Sequence, residues 1–461
     1  MRWAFVLLAL SLSCSPPTRF LCDPVTGADC PADGGGGGVA GGSAGGGVAG
    51  GAAGGTAGGS AAGGLAGGGG PSSCDPCTAG GLGEAACVQG RCVITCNPGT
   101  LPTGTSCELP VMVAVSKLSV CVRTAAGNVG CAGLTATGRL SSGSALALTS
   151  LPEPAMGLSA GGGAVCAVTT ARRVYCWGSN TRGELGNGML TTAEPVPTRV
   201  VADDLVDVTQ SGLHGCAVRG DGGAVCWGSN LANIGFAAGG PTSVTTPLAV
   251  TALSLPTSRV RARDYPTVAL SADGRVAGWG PDFFLQGDST FPTMSGARTL
   301  QLPFRVRVLE PGPAVRFAVD LDGGLWLWGL PPMPGLGSPL VFNADAGPSG
   351  FSREPLRTTA PPDVVDVCQG SAHVCALTRS GQVWCWGDNT FGQLGDGAYL
   401  PRGTPMAIPN LVATSLSCSD DFTCATTASG VQCWGRNVSD RLGTALPMQS
   451  PSPRLVQSRG P

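Results

Sequence analysis

The stretch Val374-Cys375-Ala376-Leu377-Thr378-Arg379-Ser380-Gly381-Gln382-Val383-Trp384-Cys385-Trp386-Gly387-Asp388-Asn389-Thr390-Phe391-Gly392-Gln393-Leu394-Gly395-Asp396-Gly397 decides the fold. Two short runs of strand composition flank Ser380-Gly381, where glycine can take the positive φ of a tight hairpin. Trp-Gly and a polar, glycine-rich loop follow. The same order recurs upstream, in Val165-Cys166-Ala167-Val168 and then Val174-Tyr175-Cys176-Trp177-Gly178-Ser179-Asn180-Thr181-Arg182-Gly183-Glu184-Leu185-Gly186.

Working outward, Trp-Gly pairs begin at Trp177, Trp227, Trp279, Trp328, Trp386 and Trp434, spaced 50, 52, 49, 58 and 48 residues apart. A degenerate copy, Cys131-Ala132-Gly133, stands 45 residues before the first pair. Further hairpin turns fall at Gly220-Asp221-Gly222, Asp273-Gly274, Asp322-Gly323 and Ser429-Gly430. A period near fifty residues signals a propeller or a solenoid. Seven units share residues 109–461, enough for a four-stranded blade apiece.

These units resemble the regulator of chromosome condensation repeat, and the resemblance covers about three quarters of the chain. It implies an all-β fold: a seven-bladed β-propeller over 109–461, preceded by a disordered Gly/Ala-rich tether and a small disulfide-rich segment. Segment Ser452-Pro453-Arg454-Leu455-Val456-Gln457 repeats the run that precedes each unit, yet no further unit follows it. It is expected to join the first blade and close the ring, leaving no open sheet edge.

The repeats test their own cysteines. Cys121/Cys131, Cys166/Cys176, Cys216/Cys226, Cys375/Cys385 and Cys424/Cys433 sit on either side of the hairpin turn, and two units lose both members together, to Val268/Gly278 and Phe317/Leu327. Joint loss marks bonded pairs, and residues facing each other across such a turn lie within disulfide reach. Cys368 and Cys418 stand at similar places in neighbouring units, so a bond between blades is expected. Aligned in the same way, Arg261 and Glu310 predict an ion pair. A Trp recurring at one place in every blade is read as blade-on-blade packing rather than a sugar platform, which assigns that role to Trp177, Trp227, Trp279, Trp328, Trp386 and Trp434.

Composition excludes much of the rest. With 27 Lys+Arg against 29 Asp+Glu, the formal net charge of -2 leaves no basic excess for a nucleic-acid backbone. The two histidines, His214 and His373, leave little room for metal sites or acid/base chemistry and are read as packing within their blades. No Gly-rich phosphate loop follows a strand and opens a helix. Asp420-Asp421 reads as a solvated pair. No catalytic residue, cofactor or metal is assigned. Arg259-Val260-Arg261-Ala262-Arg263 and Arg305-Val306-Arg307 put cations on one strand face, a small basic stripe suited to an acidic partner or simply to solvent.

The amino-terminal region reads as an export signal. Residues 1–13 combine a positive start with a ten-residue apolar stretch from Trp3 to Leu12, too short to span a bilayer. Leu10-Ser11-Leu12-Ser13-Cys14 resembles a bacterial lipobox, which would make Cys14 a lipid attachment site; Ser11 and Ser13 also suit ordinary signal cleavage. An oxidising compartment, and hence disulfides, follows from either. Residues 14–33 form a short mature segment in which Cys22 and Cys30 can close a loop. Residues 34–70 are an uncharged Gly/Ala-rich linker, and 71–108 hold Cys74, Cys77, Cys87, Cys92, Cys96 and Cys107, read as three disulfides rather than zinc.

The function expected is a non-enzymatic, exported propeller, held at the outer membrane or cell surface or else secreted. It would bind an unidentified protein partner as a monomer through its blade loops, with the insertion Leu330 to Pro362 the leading contact. Its membrane link would be the amino-terminal lipid alone, and no nucleic acid is a partner. The family resemblance also implies guanine nucleotide exchange or chromatin binding, as in eukaryotic members, roles that export disfavours. An exported carbohydrate-binding or carbohydrate-active propeller is the alternative, for which carboxylates of raised pKa at the ring opening would speak.

Overall fold

The computed structural model describes residues 81–458, apart from 89–90, 104–105, 136–137, 140–144, 231–233, 236–239, 265, 281–293, 313–314, 330–354, 359–360 and 438–446. The export signal, Cys14 and the Gly/Ala-rich linker lie outside them, as does most of the Leu330 to Pro362 insertion. Compact units divide at 68/69, and every described residue belongs to Gly69–Pro461. Among the described residues all regular structure is strand, and no helix is long and apolar enough to cross a membrane.

A hairpin of Gly83–Val88 and Arg91–Cys96 comes first, then the pair Leu101–Pro102 and Cys107–Glu108. The Cys96–Cys107 disulfide joins them around a small core with Ile94. Cys87 and Cys92 are also disulfide-bonded.

Antiparallel meanders follow. Four-stranded sheets span 155–199, 205–249, 257–300 and 306–357, a five-stranded sheet spans 110–149, and a seven-stranded sheet runs from Val364 to Leu455. In the last, the 18-residue strand Arg402–Ser419 pairs with Gln382–Gly387 through its first part and with Phe422–Thr427 through its second. Three outer strands carry proline, two each in Ala193–Arg199 and Gln449–Leu455 and one in Ser243–Ala249. Proline lacks the N–H that another strand would need, so these edges resist further pairing.

The Trp-Gly pair has a physical reason. The ladder to the outer strand slips at this point, between Cys176 and Gly178 and again between Cys385 and Gly387. The glycines there take φ of 107° and 111°. A Cβ on Gly387 would lie 2.4 Å from the Ala372 carbonyl oxygen, so only glycine lets the bulge form.

Each tryptophan then turns onto the preceding repeat. Trp177 packs with Cys121 and Cys131, Trp227 with Cys166 and Cys176, Trp279 with Cys216 and Cys226, and Trp434 with Cys375 and Cys385. Where the cysteines are lost, Trp328 meets Val268, and Trp386 meets Phe317 and Leu327. The disulfides are therefore part of the floor on which the next indole rests, and burying so large a ring supplies much of the attraction between sheets.

The first sheet has Ala132 in place of tryptophan. Leu101, from the disulfide-rich segment, is fully buried there with Ala132, Cys424 and Cys433, and so lies between the first and last sheets. Backbone hydrogen bonds extend the seam: Val431 N donates to Gly99 O at 2.8 Å and Gly99 N to Val456 O at 2.6 Å. The closing strand differs from the sequence expectation. Gln449–Leu455 pairs with Gly430–Arg436 in its own sheet, and among the described residues its continuation pairs with the first through the bridge Leu146–Ser458 alone. The reason is occupancy, because Ala147–Thr149 already fills the outer position of the first sheet against Val129–Cys131.

Candidate functional site: the central channel

The first strand of each sheet faces a common channel. Pro110–Val115, Ala155–Gly161, Leu205–Gln210, Thr257–Ala262, Val306–Glu310, Val364–Gln369 and the second part of Arg402–Ser419 line a cavity of about 280 Å³. An inner strand has a ladder partner on one side only, so half its N–H groups need other acceptors. Side chains of the preceding inner strand supply them. Gln210 N donates to Ser159 Oγ at 2.9 Å, Ala262 N to Thr209 Oγ1 at 3.0 Å, and Val115 N to Ser417 Oγ at 3.1 Å. In every case the donor lies one residue further along its strand than the acceptor. Ser159, Thr209 and Ser417 face Cys166, Cys216 and Cys424 respectively in their own hairpins.

The Cys368–Cys418 disulfide follows the same stagger. Cys368 faces Cys375 and Cys418 faces Thr423, so the two are offset by one residue rather than aligned, with α-carbons 5.4 Å apart. This offset corrects the ion pair expected between Arg261 and Glu310. They occupy matching positions, facing Val268 and Phe317, and matching positions are not the ones that meet. The staggered partner of Arg261 is Pro311, which has no N–H to donate. Arg261 Nη1 instead reaches Asp207 Oδ2 at 3.4 Å, and Glu310 Oε1 lies 3.8 Å from Arg263 Nη1.

Within the sheets, Cys121–Cys131, Cys166–Cys176, Cys216–Cys226, Cys375–Cys385 and Cys424–Cys433 are disulfides with α-carbons 4.0 to 4.2 Å apart. Trp177, Trp227, Trp279, Trp386 and Trp434 are fully buried and Trp328 is 3% exposed. Two indoles also bond across the joint, Trp227 Nε1 donating to Glu184 O and Trp434 Nε1 to Gln393 O.

The histidines bridge repeats. His214 Nε2 lies 2.7 Å from Thr267 Oγ1 and His373 Nε2 lies 2.8 Å from Thr423 Oγ1, each threonine on the hairpin of the following repeat. Burial holds their pKa values down, at about 4 and about 3, so both rings are neutral at physiological pH. His373, Cys375 and Cys418 bring ligand-type atoms within 4.8 Å of one another, but both sulfurs are tied up in disulfides and offer no thiolate to a metal. Asp420 and Asp421 part company, the first pairing with Lys117 at 3.2 Å and the second with Arg436 at 3.2 Å.

Sequence reasoning gave Glu310 only to an ion pair and passed over Asp366. Both line the channel beside Arg261 and Arg263. Burial pushes Glu310 up to about 7 against the pull of Arg263 and Arg261, and Asp366 up to about 6 against Arg261 and Arg259. Aligning Leu205-Val206-Asp207-Val208 with Val364-Val365-Asp366-Val367 would have marked Asp366 as an inner-strand acid.

Consecutive four-stranded meanders whose first strands line one channel define a β-propeller. Regulator of chromosome condensation (RCC1) repeats are recognised in the chain, one family model matching residues 157–184 and 364–393 and a second matching 173–218 and 380–426. The chain is similar to the human E3 ubiquitin-protein ligase HERC2, 26% identical over 350 residues that cover 70% of this chain but only 7% of that protein. It is also similar to the ultraviolet-B receptor UVR8 of Arabidopsis thaliana, 24% identical over 68% of this chain and 83% of the receptor. Among solved structures, yeast RCC1 (Prp20) bound to Kap60 shares the fold with a TM-score of 0.57 and 20% identity, over 66% of this chain and 75% of that one.

Proposed function

We propose that this chain is an exported, non-enzymatic seven-bladed propeller that binds a protein partner through its blade loops. The blade count treats the sheet from Val364 to Leu455 as two blades sharing one long strand. The observation that carries the reading is a pair of matching loops: Met189 and Leu190 after one Trp-Gly strand, and Tyr399 and Leu400 after another, hold their side chains in solvent, with Leu190 58% and Leu400 66% exposed. Apolar tips at equivalent loop positions are unfavourable in water unless a partner covers them. A solved relative, yeast RCC1, is seen with the protein Kap60.

Export rests on the amino-terminal sequence, with Cys14 as the lipid attachment site. The test is affinity capture from envelope and secreted fractions with the tagged full chain as bait. One partner should be enriched and then lost on Leu190→Ser with Leu400→Ser, or when 330–362 is shortened. Capture that survives both changes rejects the loop reading, and an unmodified, uncleaved amino terminus rejects export.

The carbohydrate reading is favoured by one observation, the raised carboxyls of Glu310 and Asp366 inside the channel. Turnover or binding of a neutral glycan on an array, lost on Glu310→Gln, would carry it. An array without signal removes it.

A further inference from the structure

The basic stripe of the fourth and fifth inner strands has no place in the loop reading above. We propose that the cavity between the inner strands Thr257–Ala262, Val306–Glu310 and Val364–Gln369 binds a small carboxylate-bearing ligand, held by the guanidinium groups of Arg259, Arg261 and Arg307. This site is independent of any partner bound by the loops.

The cavity measures about 320 Å³, the size of a small-molecule site, and Arg259, Arg261 and Arg307 line it together with Glu310, Asp366 and an apolar wall that includes Leu270 and Leu309. Strand alternation puts Arg259 and Arg261 on one face. Their charges are unevenly spent. Arg261 is paired with Asp207 and bonds Val260 O at 2.8 Å. Arg307 reaches only carbonyls, Asp320 O at 3.4 Å and Val364 O at 3.3 Å, and its Nε is buried with no hydrogen-bond partner. Among the described residues the Arg259 side chain makes no ion pair and no hydrogen bond, although it lines the same cavity. Two guanidinium groups with no acid bonded to them, one with a buried free donor, suit a planar carboxylate that accepts two parallel N–H bonds.

The acids facing this stripe make the binding pH-dependent. Glu310 faces Arg263 at 3.8 Å and feels Arg261 and Asp366. Asp366 accepts its hydrogen bond from Val367 N at 2.9 Å and feels Arg261 and Arg259. Asp207 lies beyond Arg261, and Arg307 stands on the same strand as Glu310. While Glu310 and Asp366 are ionised they repel an incoming carboxylate. Once protonated they leave the arginines to it. Following the protonated fraction of Glu310, whose pKa is about 7, affinity should be about tenfold higher at pH 6 than at pH 8.

The experiment is calorimetric titration of the full chain with D-glucuronate, with N-acetylglutamate amide to present the same carboxylate on a peptide frame, and with D-glucose as the uncharged control. Either acid should bind saturably while glucose does not, and the stronger of the two identifies a sugar acid or a peptide side chain as the natural source. Arg259→Ala, at an exposed and unpaired position, should keep the wild-type melting temperature and weaken binding tenfold or more, with Arg259→Lys in between. Asp366→Asn combined with Glu310→Gln should hold the pH 6 affinity at pH 8. Absence of saturable binding by both acids at pH 6, equal binding by glucose, or an Arg259→Ala variant that binds like wild type overturns the assignment. The loop reading survives each of those results, because it is measured by protein capture.

Discussion

Cys418 stands to Cys368 as Gln210 stands to Ser159: one residue further along the next inner strand, at the point where a backbone N–H would meet the preceding side chain. The disulfide replaces a hydrogen bond at this joint. Cys368→Ala with Cys418→Ala should therefore lower stability by up to about 3 kcal/mol in denaturant titrations. Cys368→Ser with Cys418→Ala should recover about 1 kcal/mol, because the new hydroxyl can accept from the N–H of residue 418. Equal stability of the two double variants would dismiss the substitution.

At an intact joint the same logic gives a smaller loss. Thr209→Val keeps the shape but leaves Ala262 N without its acceptor, at a cost of about 1 to 3 kcal/mol. Thermal melting of this variant beside Thr246→Val, which lies outside the channel, provides the comparison.

Leu101 carries the place that tryptophan holds elsewhere. Leu101→Ala should destabilise by about 2 to 5 kcal/mol through the cavity it leaves among Ala132, Cys424 and Cys433. A chain begun at residue 109 should melt below one begun at 81, and indistinguishable melts would show that Leu101 is dispensable.

Two sets of groups make stability depend on pH with opposite sign. His214 and His373 titrate at about 4 and about 3 when folded, below their ordinary value, so the unfolded chain takes up protons first and stability falls as pH drops below about 6.5. Glu310 is raised to about 7, so the folded chain holds its proton longer and stability falls as pH rises from about 4.5 to 7. His373→Asn should flatten the acid limb, and Glu310→Gln should shrink the loss at higher pH to the part that Asp366, raised to about 6, still causes. Urea midpoints at pH 4, 5.5 and 8 measure both, and parallel curves for wild type and variants would count against the assignment.

Gly387→Ala tests the bulge. The added methyl would meet the Ala372 carbonyl at 2.4 Å in a left-handed backbone, and a loss of about 1 to 3 kcal/mol is expected. Gly223→Ala, at a site where the nearest atom is the Asp221 carboxylate at 3.1 Å, should cost less.

The repeat was legible because its causes are local. Trp-Gly must recur wherever a bulge has to turn an indole onto the next sheet, and a cysteine pair facing across a hairpin is lost or kept as a pair. The seam was legible only in part: the sequence sent the run through Val456 to close the ring, but Leu101 is an ordinary apolar residue whose role depends on where the ring ends meet. Arg261 and Glu310 were misread for a related reason: equivalent positions are visible in a sequence, but the one-residue offset between neighbouring strands exists only in three dimensions. Asp366 escaped notice because one acid in a valine-rich strand signals nothing until the channel gathers it with Arg261 and Glu310.

Leu101 sits inside the loop that the Cys96–Cys107 bond closes. The covalent path from the amino-terminal side therefore runs from Cys96 through the disulfide to Cys107 and on into Pro110–Val115, bypassing residues 97–106. A pull from that side is delivered to the first inner strand, and Leu101 stays unloaded in its socket while the bond is intact. In a pulling experiment, reduction should put the seam in line, and the ring should then open there as a clasp does, once Leu101 leaves its place.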